Sequence, residues 1–292
     1  ASRRRRNSGG RPHAAPPLRT FFTAAKSFRG AAAIHQRNAL RSWLESAPGS
    51  EVLLFGDDEG SAAVAAELGL RHVADVPRND YGTPRLDAIF ATAQREARHE
   101  LLCYANADIV LVPEFAAAVR RLADWPRFAM VGRRVTIAID EPIDFAPGWD
   151  ERFKQAIPRV RRLGRGSALD YFAFRRGSIG AMPPFVIGRP AWDNWLVADL
   201  LRNAVPLVDA TPVVFAIHAR HGYDHVAAIF GHSDSADELR TFLRRGKKII
   251  VTTVQKFPFI LDEIGDLSGK SFALLIDEAH SSQGGKTTAR MH

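Results

Sequence analysis

The sequence is short of cysteine, of lysine over most of its length, and of long apolar runs, and each shortage closes off a class of protein. A single cysteine, Cys103, stands among 292 residues, so no internal disulfide can form and a four-cysteine metal site is excluded. It lies in the apolar run Leu101-Leu102-Cys103-Tyr104, where the thiol reads as a small buried hydrophobe. No window approaches the roughly 18 uninterrupted apolar residues of a membrane span, and the basic N-terminus lacks the apolar stretch of a secretory signal. A cytoplasmic address is the expectation. Acids are missing from residues 1–17, which hold Arg3, Arg4, Arg5, Arg6 and Arg11 and so supply five of the eight net positive charges. This leader reads as a disordered basic tail able to attach loosely to polyanions. The chain begins with Ala1 rather than Met, and the natural start is expected upstream.

What is present suffices for a folded protein: 46% of the residues are hydrophobic, ample for a sizeable core. Lysine usage marks a seam. Only Lys26 and Lys154 precede residue 229, whereas Lys247, Lys248, Lys256, Lys270 and Lys286 follow it. Both cations serve on solvated faces, so the shift points to segments of different origin meeting near residues 226–233. Before the seam, strand and helix patterns alternate. Apolar runs predict strands over 18–23, 51–55, 71–74 and 100–104, and helical spacing predicts helices over 34–44, 61–68 and 84–97. Such alternation predicts an α/β fold with a mainly parallel sheet flanked by helices, with ligands at the carboxyl ends of the strands.

Two predicted strand ends carry acids there: Asp57 and Asp58, and the Asn106-Ala107-Asp108 turn. Oxygen ligands two residues apart on a turn suit Mg²⁺ or Mn²⁺ carrying a diphosphate, although Asn and Asp also occupy turns for their own backbone bonding. The stretch from about 18 to 228 resembles a bacterial group of family-2-like nucleotide-sugar glycosyltransferases. The resemblance is carried by Arg37-Asn38-Ala39-Leu40-Arg41-Ser42-Trp43, Leu53-Leu54-Phe55-Gly56-Asp57-Asp58, Tyr104-Ala105-Asn106-Ala107-Asp108-Ile109, Leu169-Asp170-Tyr171-Phe172-Ala173-Phe174, Ile187 through Trp195, and Ala210-Thr211-Pro212-Val213. It implies a GT-A, Rossmann-like fold that takes a nucleotide sugar and transfers the sugar to an acceptor. Asn106-Ala107-Asp108 then stands where that family has Asp-x-Asp, with Asn in the first place. The resemblance makes Asp57 and Asn106 candidates for holding the nucleotide, and Asp108 with a C-terminal histidine, His218, candidates for the metal. His221 and His225 compete for that last role, and a histidine ending an apolar strand is also a common structural feature. Asp193, in Trp192-Asp193-Asn194-Trp195, is the candidate general base; the alternative is an acid at a helix start between two core tryptophans. Asp170 is a second polar candidate for the acceptor pocket.

Beyond the seam, a polar helix over 235–245, a strand over 248–253, a short helix over 258–264 and a buried strand over 271–276 are predicted. The last strand delivers Asp277-Glu278-Ala279-His280, a Walker B arrangement in which Asp holds Mg²⁺ and Glu orients water. The runs from Lys247 to Phe259 and from Asp277 to Lys286 resemble the motor (R) subunit of type I restriction enzymes. That resemblance implies an ATP-driven DNA translocase, with Asp277 and Glu278 as nucleotide-binding residues and DNA as partner. The only Gly-Lys-Thr, at Gly285-Lys286-Thr287, follows this strand, and His280 replaces the first glycine of a phosphate loop. The expectation is a truncated, inactive α/β fragment of a motor lobe, competent for ATP-Mg only if completed, joined to a glycosyltransferase-like domain in a chimeric chain.

Overall fold

The computed structural model describes residues 19–157, 169–189, 191–220, 230–233, 235–246 and 249–252. The chain divides into two compact units, residues 1–221 and 222–292. In the first, the strands are β1 (Arg19–Ala24), β2 (Glu51–Phe55), β3 (Arg71–Val73), β4 (Leu101–Ala105), β5 (Ile109–Leu111), β6 (Ala129–Ile137), β7 (Leu169–Arg175), β8 (Leu207–Asp209) and β9 (Ala216–Ala219). The helices are α1 (Gly30–Ser46), α2 (Ser61–Leu68), α3 (Leu86–Glu96), α4 (Pro113–Leu122), α5 (Trp149–Ala156) and α6 (Trp192–Arg202).

All nine strands form one sheet in the order β3-β2-β1-β4-β7-β6-β9-β5, with β8 beside β6. The pairs β3-β2, β2-β1 and β1-β4 are parallel, as are β6-β9 and β6-β8. Strand β7 enters antiparallel to both β4 and β6, and β5 is antiparallel to β9. The architecture is therefore a mixed α/β fold whose sheet is mainly parallel.

Alternation along β1 divides the core. Phe21 faces Trp43, Leu40 and Phe115 on the side of α1 and α4, and Phe22 faces Phe90, Tyr104 and Phe174 on the side of α3 and α6. Helix α3 shows why: Leu86, Ile89, Phe90 and Ala93 are its buried residues, one stripe at helical spacing. Helix α4 starts with Pro113, carries Glu114 in its first turn and ends on Arg120 and Arg121, matching the helix dipole at both ends.

Helix α1 also fixes the position of β5. The Trp43 indole N–H donates to the Ile109 carbonyl at 2.8 Å, Ser46 Oγ donates to the Leu111 carbonyl at 2.8 Å, and Ser42 Oγ accepts from Leu111 N at 3.1 Å. Side chains thus take the place of a neighbouring strand along the sheet edge, and they hold the turn that precedes β5.

The second unit contains β10 (Phe230–His232), α7 (Ala236–Arg244) and β11 (Ile249–Val251) among its described residues. β10 and β11 pair in parallel. Helix α7 opens on a capping box, Ser235 with Glu238, and buries Leu239 and Leu243. The helix and strand predicted at 258–264 and 271–276 lie outside the described residues.

Candidate functional site

Because β1, β2 and β4 run parallel, the loops leaving them gather on one rim of the sheet. β7, β6 and β9 bring their own residues to the same rim. The register pairs Ala105 of β4 with Tyr171 of β7, Arg133 of β6 with Leu169, and Ile109 of β5 with His218 of β9. Asn106, Asp108, Arg134, Asp170 and His218 thereby meet from four different segments, the β4–β5 turn, β6, β7 and β9.

The two candidate metal ligands are among the residues brought together: His218 Nε2 lies 3.5 Å from Asp108 Oδ2, and both side chains are largely withdrawn from solvent. The Ala219 N–H donates to the Asp108 carbonyl at 3.3 Å, so backbone as well as side chain ties the turn to β9. Next to this pair, Asn106 Nδ2 donates to Asp170 Oδ1 at 2.8 Å and the Tyr104 hydroxyl donates to Asn106 Oδ1 at 2.9 Å. Arg134 donates to the other oxygen of Asp170. Asp193, in the first turn of α6, accepts the Leu169 N–H at 3.2 Å through Oδ2, which orients its carboxylate beside the start of β7.

The electrostatics record the same crowding. Burial pushes the Tyr104 phenol well above its ordinary value, and Asp170, Asp108 and Asp193 all add to the rise. Burial likewise raises Asp170; Arg134 and His218 oppose the rise, and Asp108 reinforces it. Three carboxylates thus act electrostatically on one buried phenol.

Asp57 stands differently. It leaves β2 on the same rim, but its carboxylate is bonded to Arg78 at 2.5 Å, and Arg78 also reaches Asp58 at 3.3 Å. A cavity of about 490 Å³ opens between Asp57, Ala74, Asp75, Val76 and Arg78. Trp192 does not offer a free face: it is buried and packs edge-on against Tyr104 at 5.2 Å. Trp195 packs against Phe185 at 5.5 Å. Asp193 stands in the first turn of α6 next to the buried Trp192, a placement that fits both of its sequence alternatives. His221, His225, Asp277 and Glu278 lie outside the described residues.

Sequence reading missed Arg78, Arg134 and Tyr104. Arg134 carried a signal, a pair of arginines inside the strand pattern Val131-Gly132-Arg133-Arg134-Val135, where a charge needs a partner.

No group of three or more His, Cys, Asp or Glu side chains placed to hold a metal occurs among the described residues. Asp108 and His218 nonetheless form a donor pair that fits a Mg²⁺ or Mn²⁺ ion taking its other ligands from substrate phosphates and water. No described helix is long and apolar enough to cross a membrane.

The SWI2/SNF2 ATPase family model matches residues 223–292, less than half of the chain. No curated protein matches the sequence. Among solved structures, the fold is similar to that of a mannosyltransferase from Pyrobaculum calidifontis in complex with GDP-Man and Mn²⁺, at 16% identity and a TM-score of 0.47 over 86% of this chain. The match spans 66% of that enzyme, just under two thirds of its length. TarS of S. aureus is similar at 12% identity and a TM-score of 0.47, over 94% of this chain and 70% of the other. Glucosyl-3-phosphoglycerate synthase from Mycobacterium tuberculosis, in complex with Mn²⁺, UDP and phosphoglyceric acid, gives 14% and 0.42 over 78% of each chain. Identities this low and scores below 0.5 carry no information on substrate or reaction.

Proposed function

We propose that residues 18–228 bind a nucleoside-diphosphate sugar with a divalent cation and transfer the sugar to an acceptor hydroxyl. The observation that carries this reading is the convergence of Asp108 and His218 to 3.5 Å, on the rim that also holds Asp170 and Asp193. The sequence resemblance supports it from a separate direction. In this reading Asp108 and His218 hold the cation, which when bound neutralises the charge that builds on the departing diphosphate. Asp57 and Arg78 border the cavity that takes the nucleoside. Asp193, held through Oδ2 by the Leu169 N–H, receives the proton of the acceptor hydroxyl as its oxygen bonds to the anomeric carbon and the bond to the diphosphate breaks. Asp170, locked by Arg134 and Asn106, shapes the rim.

Calorimetric titration of the full chain with UDP-glucose and GDP-mannose in the presence of Mn²⁺ tests it. Binding of one donor is expected, weakened by about 100-fold or more in Asp108→Ala because a charged ligand is lost. Equal affinity in that variant rejects the site.

For residues 223–292, the SWI2/SNF2 match favours a second reading, a remnant of an ATP-driven motor that is inactive without a phosphate loop ahead of Asp277. No ATP hydrolysis is expected with or without DNA. DNA-stimulated turnover abolished in Glu278→Gln would overturn the remnant reading.

A further inference from the structure

Asn106 sits where the resemblance places the first carboxylate of an Asp-x-Asp motif, yet both ends of its amide are engaged inside the protein. Oδ1 accepts the Tyr104 hydroxyl at 2.9 Å and Nδ2 donates to Asp170 Oδ1 at 2.8 Å. Its backbone is anchored to the same partner: Asn106 N donates to the Asp170 carbonyl at 2.9 Å, and its own carbonyl accepts from Ile109 N at 3.0 Å, closing the turn around Asp108. The amide orientation follows from chemistry. Asp170 takes Arg134 on one oxygen, and an ionised carboxylate only accepts, so the side facing it must be the NH₂.

We propose that Asn106 is a positioning residue and not a cation ligand, and that this rim requires an amide there because one short side chain must donate to Asp170 while accepting from Tyr104. A carboxylate in its place has no N–H to give and would face Asp170 oxygen to oxygen at hydrogen-bond distance. A glutamine would overreach by one methylene. The Asn106–Asp170 couple thereby sets the turn that presents Asp108 to His218. A consequence runs against the motif: converting this chain to the Asp-x-Asp pattern by Asn106→Asp damages the site, and the damage is repaired by moving the amide to the other partner. In the double variant Asn106→Asp/Asp170→Asn, the new amide donates to position 106 and its oxygen still accepts from Arg134, so every bond and the net charge are kept.

The functional part of this inference rests on the reading of the rim given under the proposed function; the structural part does not. The test uses the full chain in five forms: wild type, Asn106→Asp, Asp170→Asn, the double swap and Asp108→Ala. Thermal melting and Mn²⁺ binding by electron paramagnetic resonance are both measured. Asn106→Asp is expected to lower the melting temperature by about 5 °C and to weaken Mn²⁺ binding by about 10-fold. The swap is expected to recover most of both. Tighter Mn²⁺ binding in Asn106→Asp than in wild type would make position 106 a ligand position and overturn the proposal. Additive losses in the swap, without recovery, would overturn it as well. Mn²⁺ binding that is insensitive to Asp108→Ala, together with a swap that restores the melting temperature, would reject the metal site while leaving the Asn106–Asp170 couple standing.

Discussion

Gly132, in the middle of β6, is set by what lies opposite it. A Cβ at this position would come within 2.1 Å of the Tyr171 hydroxyl and 3.2 Å of the Thr211 backbone nitrogen. Tyr171 is fully buried and stacks edge-on against Phe115 at 5.6 Å, so its ring has little freedom to yield. The absence of a side chain, not backbone conformation, is what the position demands. Gly132→Ala is expected to destabilise the first unit by about 1–3 kcal/mol, the usual cost of overpacking, read as a lower midpoint in urea. Tyr171→Phe removes the offending oxygen, and burial already holds that phenol protonated well above its ordinary range. The double variant should recover part of the loss, the remainder reflecting the ring carbon Cζ of residue 171 at 3.0 Å and the Thr211 nitrogen at 3.2 Å; a Gly132→Ala protein as stable as wild type would refute the packing argument.

At the scale of elements, the sequence was legible where the determinants are local. Strand β2 and helix α2 occupy the residues their patterns predicted, 51–55 and 61–68, because glycines at 56, 60 and 69 punctuate them, all in the left-handed region. The third helix starts at Leu86 instead of Pro84, since Arg78 bridges Pro84 and Arg85 bridges Val186 as isolated strand-like pairs. Helix α1 extends to Gly30 over Ala31, Ala32 and Ala33, good helix formers without a periodic signal. Illegible were the contacts between elements. The insertion of β7 antiparallel between β4 and β6 joins residues 64 positions apart, as in Asn106 and Asp170. The edge of β5 is completed by Trp43, Ser42 and Ser46, some 65 positions away. The candidate ligands Asp108 and His218 were readable as residue types at strand ends. Their convergence, and the ties of Asn106 to Asp170 and of Asp57 to Arg78, depend on tertiary pairing that no local pattern encodes.

Across the whole molecule, the contrast between the two units has a thermodynamic consequence. The first unit buries two aromatic-rich clusters on opposite faces of a nine-stranded sheet. Among the described residues, the second has a single small cluster of Leu239 and Leu243, with Ala236 and Ile250 packed on it, and a two-stranded sheet. A pair of parallel strands is marginal without further cover. The capping box of Ser235 and Glu238 adds only about 1 kcal/mol. The described part of the second unit should therefore open more readily, and trypsin has Arg240 and Arg244 to cut within α7 and Arg245 directly after it. Digestion of the native chain at low protease ratios is expected to leave a resistant product that begins near residue 19 and ends between about 220 and 245, and that keeps the Mn²⁺ binding of the full chain, because Asp108 and His218 belong to the first unit. A full-length chain that survives until the first unit itself is cleaved would show the C-terminal residues to be as stably folded as the sheet, and with that the picture of two separately stable pieces would fall.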